Sequence, residues 1–135
     1  MKEKILKELA TIDRPGIPAL AAWLTASDYF EAPASTQYHL SVPGGLAQHS
    51  WNVYQALRGI AAKYVPGATA DTVKICGLMH DLCKVNFYGK GTRNVKDEKT
   101  GKWAAVPVIT VTDTEHPLAT VKRVPWCFLA SFRLP

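Results

Sequence analysis

The sequence predicts a mainly helical domain with a β-hairpin inserted after its fourth helix. Three observations carry that prediction. Apolar residues recur at helical spacing in four segments before residue 85. Pro/Gly pairs at Pro15-Gly16 and Pro66-Gly67 punctuate those segments. Residues 92–112 then change to two extended runs about a polar turn. At 135 residues, 47% apolar and 20% charged, the chain has the composition of one globular domain.

Ile5, Leu6, Leu9 and Ile12 share a face and predict a first helix over 2–12. Ile17, Leu20, Ala21 and Leu24 predict a second over 17–30. Two prolines and two glycines between Glu31 and Gly45 read as a loop. A third helix is expected from Gly45 to Pro66, with Leu46, Val53, Leu57, Ile60 and Tyr64 as its apolar stripe and His49 pointing inward among them. Thr69 suits the N-cap of a fourth helix over 70–84. That helix is apolar on most sides and so expected to be central, with His80-Asp81 in its last turns. Thr92–Val95, a turn ending in Thr100-Gly101, and Lys102–Thr112 predict the hairpin, with Pro107 favouring an edge strand.

No apolar run of about 18 residues exists, so no membrane-spanning helix is expected. Charges at Lys2, Glu3 and Lys4 argue against a signal peptide. Cys76, Cys83 and Cys127 are odd in number and lack a C-x-x-C spacing. A reduced, cytoplasmic protein follows as the expectation. The net charge of +5 is unevenly spread. Residues 1–83 are neutral, whereas residues 84–102 hold Lys84, Lys90, Arg93, Lys96, Lys99 and Lys102 against Asp97 and Glu98. A basic segment beside a site favours a phosphorylated ligand, and a solvated hairpin is the plainer alternative.

Chemistry concentrates in His49 on one helix and His80-Asp81 on the next. Two imidazoles and a carboxylate suit borderline divalent metals. Neighbouring helical residues diverge by about 100°, yet both can reach an ion lodged beside the helix while His49 approaches from its partner. The alternative is a hydrogen-bonded core histidine at His49 and a helix-terminal His80 favoured by the helix dipole.

The stretch from His39 through Gly44-Gly45-Leu46 to His49-Ser50 resembles the H-x-x-x-x-GGL-x-x-H-[ST] segment of HD-domain phosphohydrolases. Met79-His80-Asp81-Leu82-Cys83-Lys84 resembles their hHDhxK signature. The similarity covers roughly residues 15–118 and is greatest to the branch containing HD-domain exoribonucleases and small bacterial or phage hydrolases. The resemblance implies an HD-domain-like helical bundle that binds one or two divalent ions (Mn, Ni, Fe, Zn or Mg) through His, His-Asp and a later Asp. By matched position His49, His80 and Asp81 would be metal ligands, with His80, Asp81 and Lys84 the catalytic group. Lys84 would meet a substrate phosphate or merely balance a helix end. His39 would approach the ligand or pack the loop. Arg93, on the basic hairpin, joins His39 and Lys84 as a substrate-binding candidate. Gly44-Gly45 would supply the tight turn into the His49 helix.

The sequence departs from that pattern after residue 118. A Gly-His-Gly-Glu-Lys-Ser-like helix start is expected, but Ala119-Thr120-Val121-Lys122-Arg123-Val124-Pro125-Trp126 stands there, and no Asp or Glu follows Glu115. That stretch can be written with the codons GCC ACG GTG AAA AGA GTG CCA TGG. Read two nucleotides later, they give His-Gly-Glu-Lys-Ser-Ala-Met. Residues 119–135 are therefore expected to be a frameshifted tail on an HD-type domain of residues 1–118. Asp113 and His116 are weak candidates for the missing ligand.

The resulting expectation is metal-dependent hydrolysis of a phosphate ester, impaired in this chain, with a phosphorylated small molecule or nucleic acid as substrate and no membrane. The alternative is a non-catalytic nucleic-acid or partner-binding module on the same scaffold. In a third reading Trp126, Phe128 and Phe132 form an apolar patch that a second copy covers, giving a homo-oligomer.

Overall fold

A computed structural model describes residues 1–112. The tail reading, the 118/119 boundary, Asp113, His116 and the apolar oligomer patch lie outside the described residues. Four helices are followed by a hairpin: α1 (Lys2–Leu9), α2 (Ile17–Ala26), α3 (Gly45–Tyr64), α4 (Ala70–Met79), a 3-10 turn at Leu82–Lys84, then β1 (Tyr88–Lys96) and β2 (Trp103–Val111). The mainly helical class and the hairpin after the fourth helix are as the sequence predicts. No helix among the described residues is long and apolar enough to cross a membrane.

The core is built from Ile5, Leu9, Leu20, Leu24, Tyr29, Leu46 and Leu78, each essentially fully buried. Helices α3 and α4 pack closely because α4 offers Gly77 at the crossing. A Cβ there would lie 2.5 Å from the Tyr54 Cα. That approach sets the phase of α3. Its buried face is Gly45, Leu46, Ala47, Ser50, Tyr54 and Ala61. The expected stripe is corrected at its C-terminal end, where Ile60 and Tyr64 are 53% and 67% exposed. Small Ala61 faces the core where large residues were expected. Helix α4 is also less central than its composition suggests: Val73, Gly77 and Leu78 are buried, but Cys76 is exposed.

Three helix ends fall short of expectation. Helix α1 stops at Leu9, and Ile12 is still buried through a turn. Helix α2 stops at Ala26 because Ser27 takes extended dihedrals, its Oγ donating to the Leu24 carbonyl and accepting from the Tyr29 N–H. Helix α4 stops at Met79, so His80-Asp81 follows the helix instead of lying in its last turns. Its start is as expected, with the Thr69 Oγ1 accepting from the Thr72 N–H. Strand β1 begins at Tyr88, four residues before the expected Thr92, and pairs antiparallel with β2 from Tyr88↔Val111 to Lys96↔Trp103.

The loop 31–44 docks on the start of α3. Carbonyls of Glu31, Val42 and Ala32 accept from the N–H groups of Gly44, Gly45 and Leu46. These bonds satisfy donors that a helix start leaves free, and no side chain caps the helix. Gly44 has φ 76°, the left-handed region glycine tolerates. A Cβ at Gly45 would strike the Leu40 carbonyl oxygen.

The Tyr29 hydroxyl donates to the Leu78 carbonyl at 2.9 Å, capping the end of α4 from inside the core. Burial pushes the phenol up from 10.0 to about 12. The folded state thus holds this proton more tightly than the unfolded chain. The resulting stability is complete below pH 10.0 and is lost as pH rises toward about 12. Urea unfolding at pH 8 and pH 11 should show a larger loss in the parent than in Tyr29→Phe, where Tyr54 and Tyr88 still contribute. The variant should be about 1–2 kcal/mol less stable at pH 8. Gly77→Ala should destabilise by about 1–3 kcal/mol, because backbone of α3 must move, and the helix-propensity gain of about 1 kcal/mol does not offset it. An unchanged or raised thermal midpoint would contradict the close crossing.

Candidate metal centre

His49 sits in the second turn of α3, held by the turn at Gly44 and the close crossing with α4. His80 keeps helical dihedrals as the C-cap of α4, and Asp81 leaves them with φ −106° and ψ 22°. This break turns the two neighbouring side chains, which a continuous helix would splay, toward one point. His80 Nε2 lies 3.2 Å from His49 Nε2. Asp81 Oδ2 lies 3.3 Å from His80 Nε2 and 3.4 Å from His49 Nε2. Among the described residues, this is the one group of three such side chains close enough to share an ion.

The triangle fits a metal. Three donor atoms so spaced are each about 2.0–2.2 Å from a common point when ligand–metal–ligand angles are near tetrahedral. Their chemistry fits as well. His80 Nδ1 lies 3.0 Å from the Gly77 carbonyl, which can only accept, so Nδ1 carries a proton and Nε2 is the nitrogen left to ligate at the site. Burial, then the neighbouring His80, His39 and Lys84, hold His49 below the usual imidazole range, against the opposing pull of Asp81. The neutral, ligating form is favoured. His49 and Asp81 are half-buried and His80 is exposed, so one side of the triangle is open to water and ligand.

Lys84 Nζ donates to Asp81 Oδ2 at 2.8 Å and to the Ala34 carbonyl at 2.8 Å. The Tyr88 hydroxyl donates to the same carbonyl at 3.2 Å. Lys84 thus ties Asp81, the 31–44 loop and the hairpin base together. His39 is exposed, and its ring centroid lies 4.7 Å from that of His49. The structure brings His39 and Lys84 to the triangle but not Arg93. That side chain is exposed five residues beyond Tyr88, about 17 Å along β1. Burial, with the Asp81 charge, raises the Cys83 thiol further from ionisation.

Sequence reasoning missed the second row of the site. The Gly77 and Ala34 carbonyls are backbone atoms and leave no residue signal. Tyr88 stands four residues after Lys84, but nothing in the sequence ties its hydroxyl to that lysine's acceptor. Tyr29, distant in sequence, gave no sign that it caps α4.

A family model described as "HD domain" matches residues 46–121, from the first turn of α3 through His49, His80-Asp81 and the hairpin. No curated protein and no solved structure matches the chain significantly.

Titration with Co(II) or Mn(II) should show saturable binding, and His49→Ala and Asp81→Asn should each weaken it at least about 100-fold. Gly77 is tied to His80 by its carbonyl, so Gly77→Ala should weaken binding by a smaller factor, about 10-fold. Affinity should fall on acidification as ligands protonate. Unchanged binding in His49→Ala would remove α3 from the centre.

Proposed function

Since the chain belongs to the HD domain family, we propose that it hydrolyses a phosphate ester with a divalent metal held by His49, His80 and Asp81. The observation that carries the reading is the 3.2–3.4 Å triangle of two imidazole nitrogens and one carboxylate oxygen on facing elements. An ion there supplies Lewis acidity to a phosphoryl oxygen and to water.

The chain's own groups do the rest. Gly77 fixes the His80 tautomer, and Lys84 fixes the Asp81 carboxylate. Lys84 has three N–H bonds, two of them engaged, and the third is our candidate for a substrate phosphate oxygen. His39, on the solvent side of His49, is our candidate for contact with the ester. The ion is Mn, Ni, Fe, Zn or Mg, of which the two imidazoles favour the transition metals over Mg, a cation of oxygen ligands. The acid-free stretch after Glu115 adds that turnover is reduced relative to a frame-restored chain.

The test is turnover of p-nitrophenyl phosphate and bis-p-nitrophenyl phosphate with Mn, Ni and Mg, in the encoded and frame-restored proteins. Activity should require metal, fall at least about 100-fold in Asp81→Asn, and be higher in the restored form. Stoichiometric metal binding without turnover in either form would favour the binding module. Equal turnover in both forms would overturn the reading of the tail.

A further inference from the structure

We infer that the cleft between the C-terminal half of α3 and the N-terminal half of α4 is a second binding site, one that takes a small organic carboxylate: a compact apolar body bearing a single negative charge. The inference goes beyond the hydrolase reading and does not depend on it.

The cleft follows from the sizes of the side chains that face each other. Helices α3 and α4 meet at Tyr54 and Gly77, where no room is left even for a Cβ. Toward the turn that joins them, Ala61 and Ala62 stand on α3, Ala70 on α4 and Ala68 between. Side chains that end at Cβ do not fill the space, and a cleft of about 310 Å³ stays open among them. Buried Ala61 and Val73 form its floor, and exposed Val65 its rim. This volume lies at the low end of the ~300–1,000 Å³ range of small-molecule sites, which suits a ligand of one or two rings. The cleft is separate from the metal centre, since Ala61 lies about 18 Å along α3 from His49.

Charge selects the ligand. Arg58 and Lys74 flank the cleft, one from each helix. Lys74 Nζ is engaged: it donates to Thr11 Oγ1 at 2.6 Å and lies 3.9 Å from Glu8 Oε2. Glu8 also accepts from the Tyr54 hydroxyl at 3.2 Å. Arg58 forms no ion pair among the described residues. Its guanidinium carbon lies 6.0 Å from the Tyr54 ring centroid, at the inner end of the cleft. Two bases therefore meet one acid, and the base left over is the one that can hold a carboxylate by two parallel hydrogen bonds.

The walls set the rest of the ligand. A cation is repelled by the uncompensated charge, and a hydrated inorganic anion gains nothing from alanine and valine faces. An apolar body with one carboxylate uses both features: it removes those faces from water and pairs with Arg58.

The experiment uses the full chain in chelator, so that no metal takes part and the hydrolase reading is not at issue. Amide NMR shifts follow titration with naphthoate, with naphthylmethylammonium as a cation of similar shape, and with inorganic phosphate. Naphthoate should give saturable shifts centred on residues 58–74, with an affinity at least about 10-fold above that of either other probe. Arg58→Gln should weaken naphthoate about 10-fold by removing the charge, and Ala62→Leu about 10-fold by filling the cleft. Lys63→Gln, the same charge change on an exposed residue outside the cleft, should cost less than about 3-fold. Thermal unfolding checks that each variant is folded. Absence of saturable naphthoate shifts in the parent would overturn the site, as would equal losses for Arg58→Gln and Lys63→Gln or unchanged binding in Ala62→Leu. Phosphate or the cation binding as tightly as naphthoate would overturn the ligand class. Shifts confined to the surroundings of His49 and His80 would place the carboxylate at the metal centre and overturn the second site.

Discussion

Carbonyls at the end of a helix need donors, and at α4 two side chains supply them. The Leu78 carbonyl takes the Tyr29 hydroxyl from the core, and the Gly77 carbonyl takes His80 Nδ1 from the C-cap itself. The helix stops at Met79; His80 still has helical dihedrals, and Asp81 is released from them. Everything at the centre depends on this stop. It lets His80 and Asp81 turn to one point, fixes the tautomer that leaves a lone pair facing inward, and starts the 3-10 turn that brings Lys84 back to Asp81. Gly77 serves twice, since its missing side chain also lets α3 bring His49 close.

The electrostatics of the centre follow from this arrangement. Two neutral imidazoles and one carboxylate contribute a single negative charge, and the Lys84 ammonium lies 2.8 Å from that carboxylate. A cation held there keeps most of its own charge. Such a set binds more weakly than one richer in carboxylates, and it leaves the ion a stronger polariser of what it touches. The half-buried setting of His49 and Asp81 strengthens these interactions relative to water.

Much of the fold was legible because apolar spacing reports burial, and burial here is mostly helical. The same signal overran helix ends. Leu82 and Val85 continue the apolar pattern past Met79, because a 3-10 turn still delivers them to the interior, so the sequence showed no stop. The phase of α3 was misread at its far end because the helix turns small Ala61 to the core and leaves Ile60 and Tyr64 exposed. Strand β1 began earlier than expected because Gly89 and Gly91 suggest a loop, whereas here their missing side chains make room for Thr112 and Thr110 across the ribbon. The grouping of His49, His80 and Asp81 was visible as a motif resemblance and as donor chemistry. Its supporting carbonyls were not, since backbone partners are assigned by folding and not by residue type.

The loop that caps α3 is also the loop that supplies Ala34 to Lys84 and Tyr88 and carries His39. Lifting it would strip acceptors from the amides of Gly44, Gly45 and Leu46 in the same movement. Opening of the loop and fraying of the first helical turn are therefore one cooperative event, with a single free energy shared by amides far apart in the chain. The flank of the centre behaves as a local folding unit, and its protection from solvent exchange would rise or fall as a whole. A loop of mostly small and polar residues is held by the hydrogen-bond demand of the helix beneath it.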